Sequence, residues 1–155
     1  MKTVKGDLLA MGKADEFDII MHGCNCFNVM GAGIAAQIAV KFPDARLADD
    51  ETIKGDPGKL GSYTIGMDGK LVILNCYTQY GTASYANMDV FEYTAFERVL
   101  SKIAHRFGTW RIGLPLIGMG LAGGDKERIM PLIEAFARRV AEKGGSVTLV
   151  EWERK

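Results

Sequence analysis

Residues 20–43 read IMHGCNCFNVMGAGIAAQIAVKFP. The stretch opens on apolar residues and closes as an amphipathic run stopped by Pro43. Between them lie a histidine, two asparagines, two cysteines and the turn Gly31-Ala32-Gly33. A short apolar run, then turn residues, then a helical period predicts a buried strand, a loop and a helix. Ile34, Ile38 and Phe42 fall at four-residue spacing on one face of that helix. The polar residues therefore cluster where a strand ends and a helix begins. Open α/β sheets bind ligands at such strand ends.

The same unit recurs further on. WRIGLPLIG (110–118) reads as a strand, IGMGLAGGDKERI (117–129) as a glycine-rich join, and KERIMPLIEAFARRVAEKG (126–144) as a helix ending near Gly144. KTVKGD is a first short strand and SVTLVEWE a last one. DARLADDETI (44–53) reads as a second short helix or turn, and GDPGKLG as a loop. SYTIGMDGKLVILNCY (62–77) reads as a hairpin around Asp68-Gly69. MDVFEYTAFERVLSKIAHRF (88–107) is a long amphipathic helix, with Asp89 at its start and Phe91, Phe96, Val99, Ile103 and Phe107 as core contacts. Strands mixed with helices predict an α/β fold, a three-layer α/β/α sandwich around a mixed, mostly parallel sheet.

The 155 residues suit one domain, expected over 1–155. Apolar residues make up 48% and charged residues 25%, the mix of a soluble protein. Lys plus Arg equals Asp plus Glu, 19 against 19, so no net field attracts nucleic acid or a membrane surface. No 18-residue apolar run predicts a membrane span, and the N-terminus lacks the pattern of a secretion signal. An odd cysteine count of 3 argues against a disulfide framework and for a reducing cytoplasm. Cys24 and Cys26 form C-x-C without a second pair at metal spacing, so inert thiols are expected and no metal. Strand alternation puts Cys24 on the face of His22, with Cys26 beyond the strand end. Nothing signals an oligomer, so a monomer is the expectation.

The two glycine loops offer unpaired N–H groups at helix N-termini, which attract anions. Facing each other, they would hold a diphosphate without a lysine. The alternative is that the glycines serve only turns and close packing. MGAGIA lacks the lysine of a P-loop. GMGLAGG is near G-x-G-x-x-G, but no acidic residue ends a following strand.

Four segments in order, VKGDLL, IIMHGCNCFNVMGAGIA, LVILNCYTQYG and LPLIGMGLAGGD, resemble macrodomains, the ADP-ribose-binding α/β/α modules, over nearly the whole chain. The resemblance implies that Asp7 binds the adenine amino group and that the Leu8 N–H contacts the ring. It implies that Asn25 faces the distal ribose. Gly31, Ala32, Gly33 and Ile34 would wrap one side of the diphosphate, and Gly118, Met119, Gly120 and Leu121 the other. Tyr80 would stack near the distal ribose or serve packing. Two catalytic sets of the family are missing. Ala35 replaces the aspartate of the mono-ADP-ribosyl hydrolases. Gln79 and Ala122 replace the lysine and aspartate of the branch that works through a lysine adduct, and without an amine that route is closed. The chain is most similar to the yeast-type ADP-ribose-1″-phosphate phosphatases, which share His22-Gly23-Cys24-Asn25-Cys26, Gly33 to Gln37 and Phe42-Pro43. That branch implies metal-independent hydrolysis of a phosphate monoester, with His22 catalytic and Asn25 beside it. Asp89 is then either the histidine's carboxylate partner or a helix cap. Expected ligands are ADP-ribose and ADP-ribose 1″-phosphate, with no cofactor. The alternatives are a non-catalytic ADP-ribose reader, or a hydrolase that removes ADP-ribose from protein or nucleic acid.

Overall fold

The structure, a computed structural model, describes residues 1–82, 90–120 and 122–153. Six strands form one sheet: β1 (Lys2–Gly6), β2 (Ile19–Cys24), β3 (Tyr63–Asp68), β4 (Leu71–Tyr77), β5 (Arg111–Leu114) and β6 (Ser146–Trp152). Their order across the sheet is β1-β6-β5-β2-β4-β3. All neighbours are parallel except β3, which runs antiparallel to β4. Parallel strands carried in one direction place their carboxyl ends along one edge, and both glycine loops emerge there.

Helices cover both faces, as expected. On one side α4 (Tyr93–Phe107) and α5 (Lys126–Glu142) send Phe96, Val99, Ile103, Ile129, Ile133 and Phe136 onto Ile19, Met21, Leu74 and Ile112. On the other, α1 (Leu8–Lys13), α2 (Gly33–Lys41) and α3 (Pro43–Asp50) pack Leu8, Leu9, Ile38, Phe42 and Ala45 against Ile20, Ile73 and Val150. Strand alternation explains the split: Ile19 and Met21 face one layer, Ile20 and His22 the other. Each fully buried Ile or Phe contributes about 1.5–3 kcal/mol, so a sheet lined on both faces carries most of the stability. The hairpin forms as read, with Gly69 taking φ +58° in the turn.

Three expectations change. The run LLAMGK after the first strand forms α1, which its short length hid. The loop around Pro57 contains a single 3₁₀ turn, Pro57–Lys59. The long helix begins at Tyr93, with Glu92 in the cap position, rather than near Asp89. The cause lies in tertiary hydrogen bonds. The N–H groups of Val90 and Phe91 donate to Ala122 O, and that of Glu92 donates to Thr78 O. Phe91 also bridges Gln79. The segment is therefore extended, and Phe91 reaches the core without being helical.

Candidate functional site

A cleft of about 590 Å³ opens over the carboxyl ends of β2, β4 and β5. Its walls are the first glycine loop (Gly31 to Ala35), the second (Ile117, Gly118, Gly120, Ala122), and Asn25, Thr78, Gln79 and Thr82. A second pocket of about 320 Å³ lies over β1 and β6, lined by Asp7, Leu8, Leu9, Gln37, Val150 and Trp152. Gly33, Ile34, Pro115 and Leu116 line both, so the two form one continuous groove. Each volume falls in the small-ligand range of about 300–1,000 Å³.

The electrostatics of the cleft are unusual for their neutrality. Among the described residues its lining holds no Asp, Glu, Lys, Arg or His. Positive potential comes instead from the backbone. The N-cap of α2 is Ala32, which supplies no side-chain cap. Among the described residues its first N–H groups therefore meet no capping side chain and, with Gly33, Ile34 and Ala35 on the cleft wall, offer themselves to an anion. By contrast, α1 and α5 are capped by Asp7 and Asp125. Gly33 takes φ +57°, a conformation glycine adopts freely.

The smaller pocket carries one charge. Asp7 accepts from the N–H groups of Leu9 and Ala10 through a single oxygen, Oδ1, at 3.1 and 3.2 Å. The cap leaves Oδ2 for a donor in the pocket. Trp152 stands 62% exposed on the pocket's rim, an apolar plate suited to a flat ring.

The structure brings Asp7, Leu8, Asn25, Gly31, Ala32, Gly33, Ile34, Gly118 and Gly120 to the groove. Asn25 is already engaged: its Oδ1 accepts from Phe27 N at 2.8 Å, and its Nδ2 donates to Val29 O at 2.8 Å. It braces the first loop while lining the cleft. Met119 and Tyr80 are not in the lining. The Tyr80 hydroxyl donates to Gly55 O at 2.8 Å, and its ring packs edge-on against Phe27. Asp89 and Leu121 lie outside the described residues.

His22 does not reach the cleft. It is fully buried, and its Nε2 lies 2.7 Å from Asn75 Oδ1. Asn75 Nδ2 donates to Ala45 O and Thr64 Oγ1, so its Oδ1 is the acceptor and the imidazole Nε2 carries the proton. Burial pushes the His22 pKa down to about 4. The imidazole is enclosed two residues inside the strand end. Burial also pushes the thiols of Cys24, Cys26 and Cys76 up, so the thiol on the cleft wall, Cys24, stays protonated. Among the described residues no cluster of three His, Cys, Asp or Glu side chains could hold a metal ion, and no helix is long and apolar enough to cross a membrane.

Sequence reasoning missed Thr78, Thr82, Gln37, Pro115 and Trp152. The signal for Trp152 was available, since an aromatic residue near the end of a parallel strand stands where ligands bind. Gln37 lines the groove from α2, and Thr78, Thr82 and Pro115 do so from the segments that follow β4 and β5.

No protein-family model matches the chain. A 17.5 kDa protein of Enterobacteria phage T4, uncharacterized and encoded in the tk-vs intergenic region, is 31% identical over 163 residues. The match covers 99% of this chain and 97% of that one. Among solved structures, a macrodomain protein from Streptomyces coelicolor matches with a TM-score of 0.69 at 22% identity, over 99% of both chains. The macrodomain of Mycobacterium tuberculosis DarG gives 0.72 at 18% identity, over 100% of both. Thermosipho africanus DarTG, solved in complex with ADP-ribose, gives 0.72 at 16% identity, over 97% of this chain and 42% of that one. At these identities the likeness is one of fold, and the fold is that of macrodomains.

Proposed function

This chain belongs to the family of the phage T4 17.5 kDa protein and carries the macrodomain fold, and we propose that its groove binds ADP-ribose. The observation that supports this reading best is a continuous groove with one carboxylate at one end and an uncharged backbone cradle in the middle. Asp7 would accept the adenine amino group, with Trp152 against the ring. The diphosphate would lie over the N-terminus of α2, between Gly33 and Gly118. The distal ribose would rest among Asn25, Thr78, Gln79 and Thr82, beyond the end of β4.

On this reading the protein holds ADP-ribose, free or attached to a macromolecule. The favouring detail is that no described residue of the cleft titrates near neutral pH to act as general acid or base. A second reading is metal-independent hydrolysis of ADP-ribose 1″-phosphate at the distal end. It is favoured by the uncharged polar groups gathered there, which suit an oriented water, and by loop N–H groups able to balance charge on the departing phosphate. Calorimetry with ADP-ribose, followed by phosphate release from ADP-ribose 1″-phosphate in EDTA, separates them. Binding without release supports the holding role; release supports the phosphatase. Release that is unchanged in His22→Gln would remove the histidine from the chemistry. No binding of either compound would sink both readings.

Two outcomes follow from the charges. Asp7→Ala removes both the acceptor and the cap of α1. ADP-ribose affinity should then fall about 10- to 100-fold, with a stability loss of about 1 kcal/mol. Unchanged affinity by calorimetry would move the base out of this pocket. Because no cation contacts the diphosphate, the dissociation constant should vary by less than about threefold between 50 and 300 mM salt. A basic site releasing several counterions would change far more.

A further inference from the structure

Lys59 ends the single 3₁₀ turn and is 7% exposed; among the described residues it is the one buried Lys or Arg. No described carboxylate forms an ion pair with it. Its Nζ donates to Asn28 Oδ1 at 2.8 Å and to Thr52 Oγ1 at 2.9 Å, and stands 5.4 Å from the centre of the Tyr77 ring. Burying an ammonium on uncharged partners is costly, which points to the partner it holds.

That partner is Asn28, in the middle of the first loop. Asn28 takes φ +59°, a left-handed conformation that its surroundings must hold. Asn25 and Val29 on either side line the cleft, and Asn28 itself does not. Its Nδ2 donates to Thr52 O at 3.0 Å, and its Oδ1 accepts from Lys59. The Gly55 N–H donates to Cys26 O at 2.7 Å, so the segment from Thr52 to Lys59 backs the loop at more than one point. The loop is braced from two sides: Asn25 ties Phe27 N and Val29 O, and Lys59 ties Asn28. Resting on the ADP-ribose reading above, we infer that Lys59 is a positioning residue for the cleft. Acting through Asn28, it holds the first loop in the conformation that receives the ligand, without touching the ligand.

Lys59→Met, Asn28→Gly and the double variant test this. Methionine keeps an apolar stem and removes the ammonium; glycine accepts the left-handed backbone and removes the acceptor. Each single variant should lose about five- to twentyfold in ADP-ribose affinity by calorimetry, since a loop less often in the receptive conformation binds in proportion more weakly. The double variant should stay within about twofold of Asn28→Gly, because one link has been cut twice. Without ligand, hydrogen exchange at Cys26, Phe27 and Gly55 should quicken about tenfold in Lys59→Met while β2 keeps its rates. A merely structural Lys59 would lower the melting temperature and leave affinity and loop exchange unchanged, which would overturn the inference. Additive losses in the double variant would overturn it as well. Should Lys59→Met fail to fold, Asn28→Gly carries the same test, and wild-type affinity and exchange in it would refute the link. If wild type takes up no ADP-ribose, the reading of the groove falls, and the exchange rates alone decide whether Lys59 holds the loop.

Discussion

Gly118→Ala should destabilise the second loop and weaken ligand binding together. Gly118 takes φ +79°, and a Cβ there would press into the ring of Phe91. The left-handed conformation costs a non-glycine residue about 1–2 kcal/mol. Overpacking a buried ring adds about 1–3 kcal/mol. Phe91 has little room to retreat: it is buried, packs edge-on against Tyr93 and Phe96, and shares the hydrogen bonds that tie residues 90 and 91 to Ala122. The expected loss is about 2–5 kcal/mol, read as a melting temperature lowered by about 5–15 °C. ADP-ribose affinity should fall at least about tenfold, since Gly118 forms one wall of the cleft. Gly120→Ala is the control. No atom lies within 4 Å of a Cβ at that position, so its melting temperature should stay within about 2 °C of wild type. Equal stability of Gly118→Ala and wild type by calorimetry would show that the loop does not lean on Phe91.

The second large effect is acid destabilisation through His22. Its folded-state pKa is lowered to about 4 by burial, against an ordinary value of 6.5. A group depressed in this way contributes its full stability above pH 6.5. Between pH 6.5 and about 4 the unfolded chain binds one more proton than the native one. Unfolding free energy should therefore drop by about 1.4 kcal/mol per pH unit, about 3 kcal/mol in all. Below pH 4 both states are protonated and this contribution stops changing. Asp49, whose carboxyl burial raises, works in the opposite sense, but it is present in both proteins compared. His22→Gln keeps a donor for Asn75 and cannot titrate. Urea unfolding at pH 7 and 4.5 should show a steep loss for wild type and a shallower one for the variant. Parallel losses would mean that the imidazole is hydrated.

The fold was readable because period and punctuation agreed along the chain. Gly31-Ala32-Gly33 before a four-residue apolar repeat, and Pro43 after it, mark a strand–loop–helix unit without any tertiary information. The glycine loops that line the cleft were readable for the same reason, since glycine at a strand–helix join is informative wherever it stands. His22 was not. Alternation correctly puts it on the face of Cys24, and β2 runs through both. What alternation does not show is the cover over that face: the imidazole meets Asn75, whose amide donates to Ala45 O of α3. Nor does local pattern show that Ala45 and Thr64 orient Asn75 to receive it. The extended run at 90–92 shows the same limit. Its N–H groups bond to Ala122 and Thr78, which are distant in sequence, and helical period alone favours a longer helix. Tyr80, expected near the distal ribose or in packing, instead gives its hydroxyl to the Gly55 carbonyl and its ring to Phe27.

The smaller pocket joins the first strand to the last. Asp7 follows β1 and Trp152 ends β6, and these two strands pair only late in the order of synthesis. A chain emerging from the ribosome carries its acidic residue early and must wait through more than a hundred residues for the other wall. A ligand seated there would fasten the first strand to the last, two neighbours at one border of the sheet. Saturating ligand should accordingly protect the border pair β1–β6 from hydrogen exchange more than it protects β3, on the opposite border of the sheet.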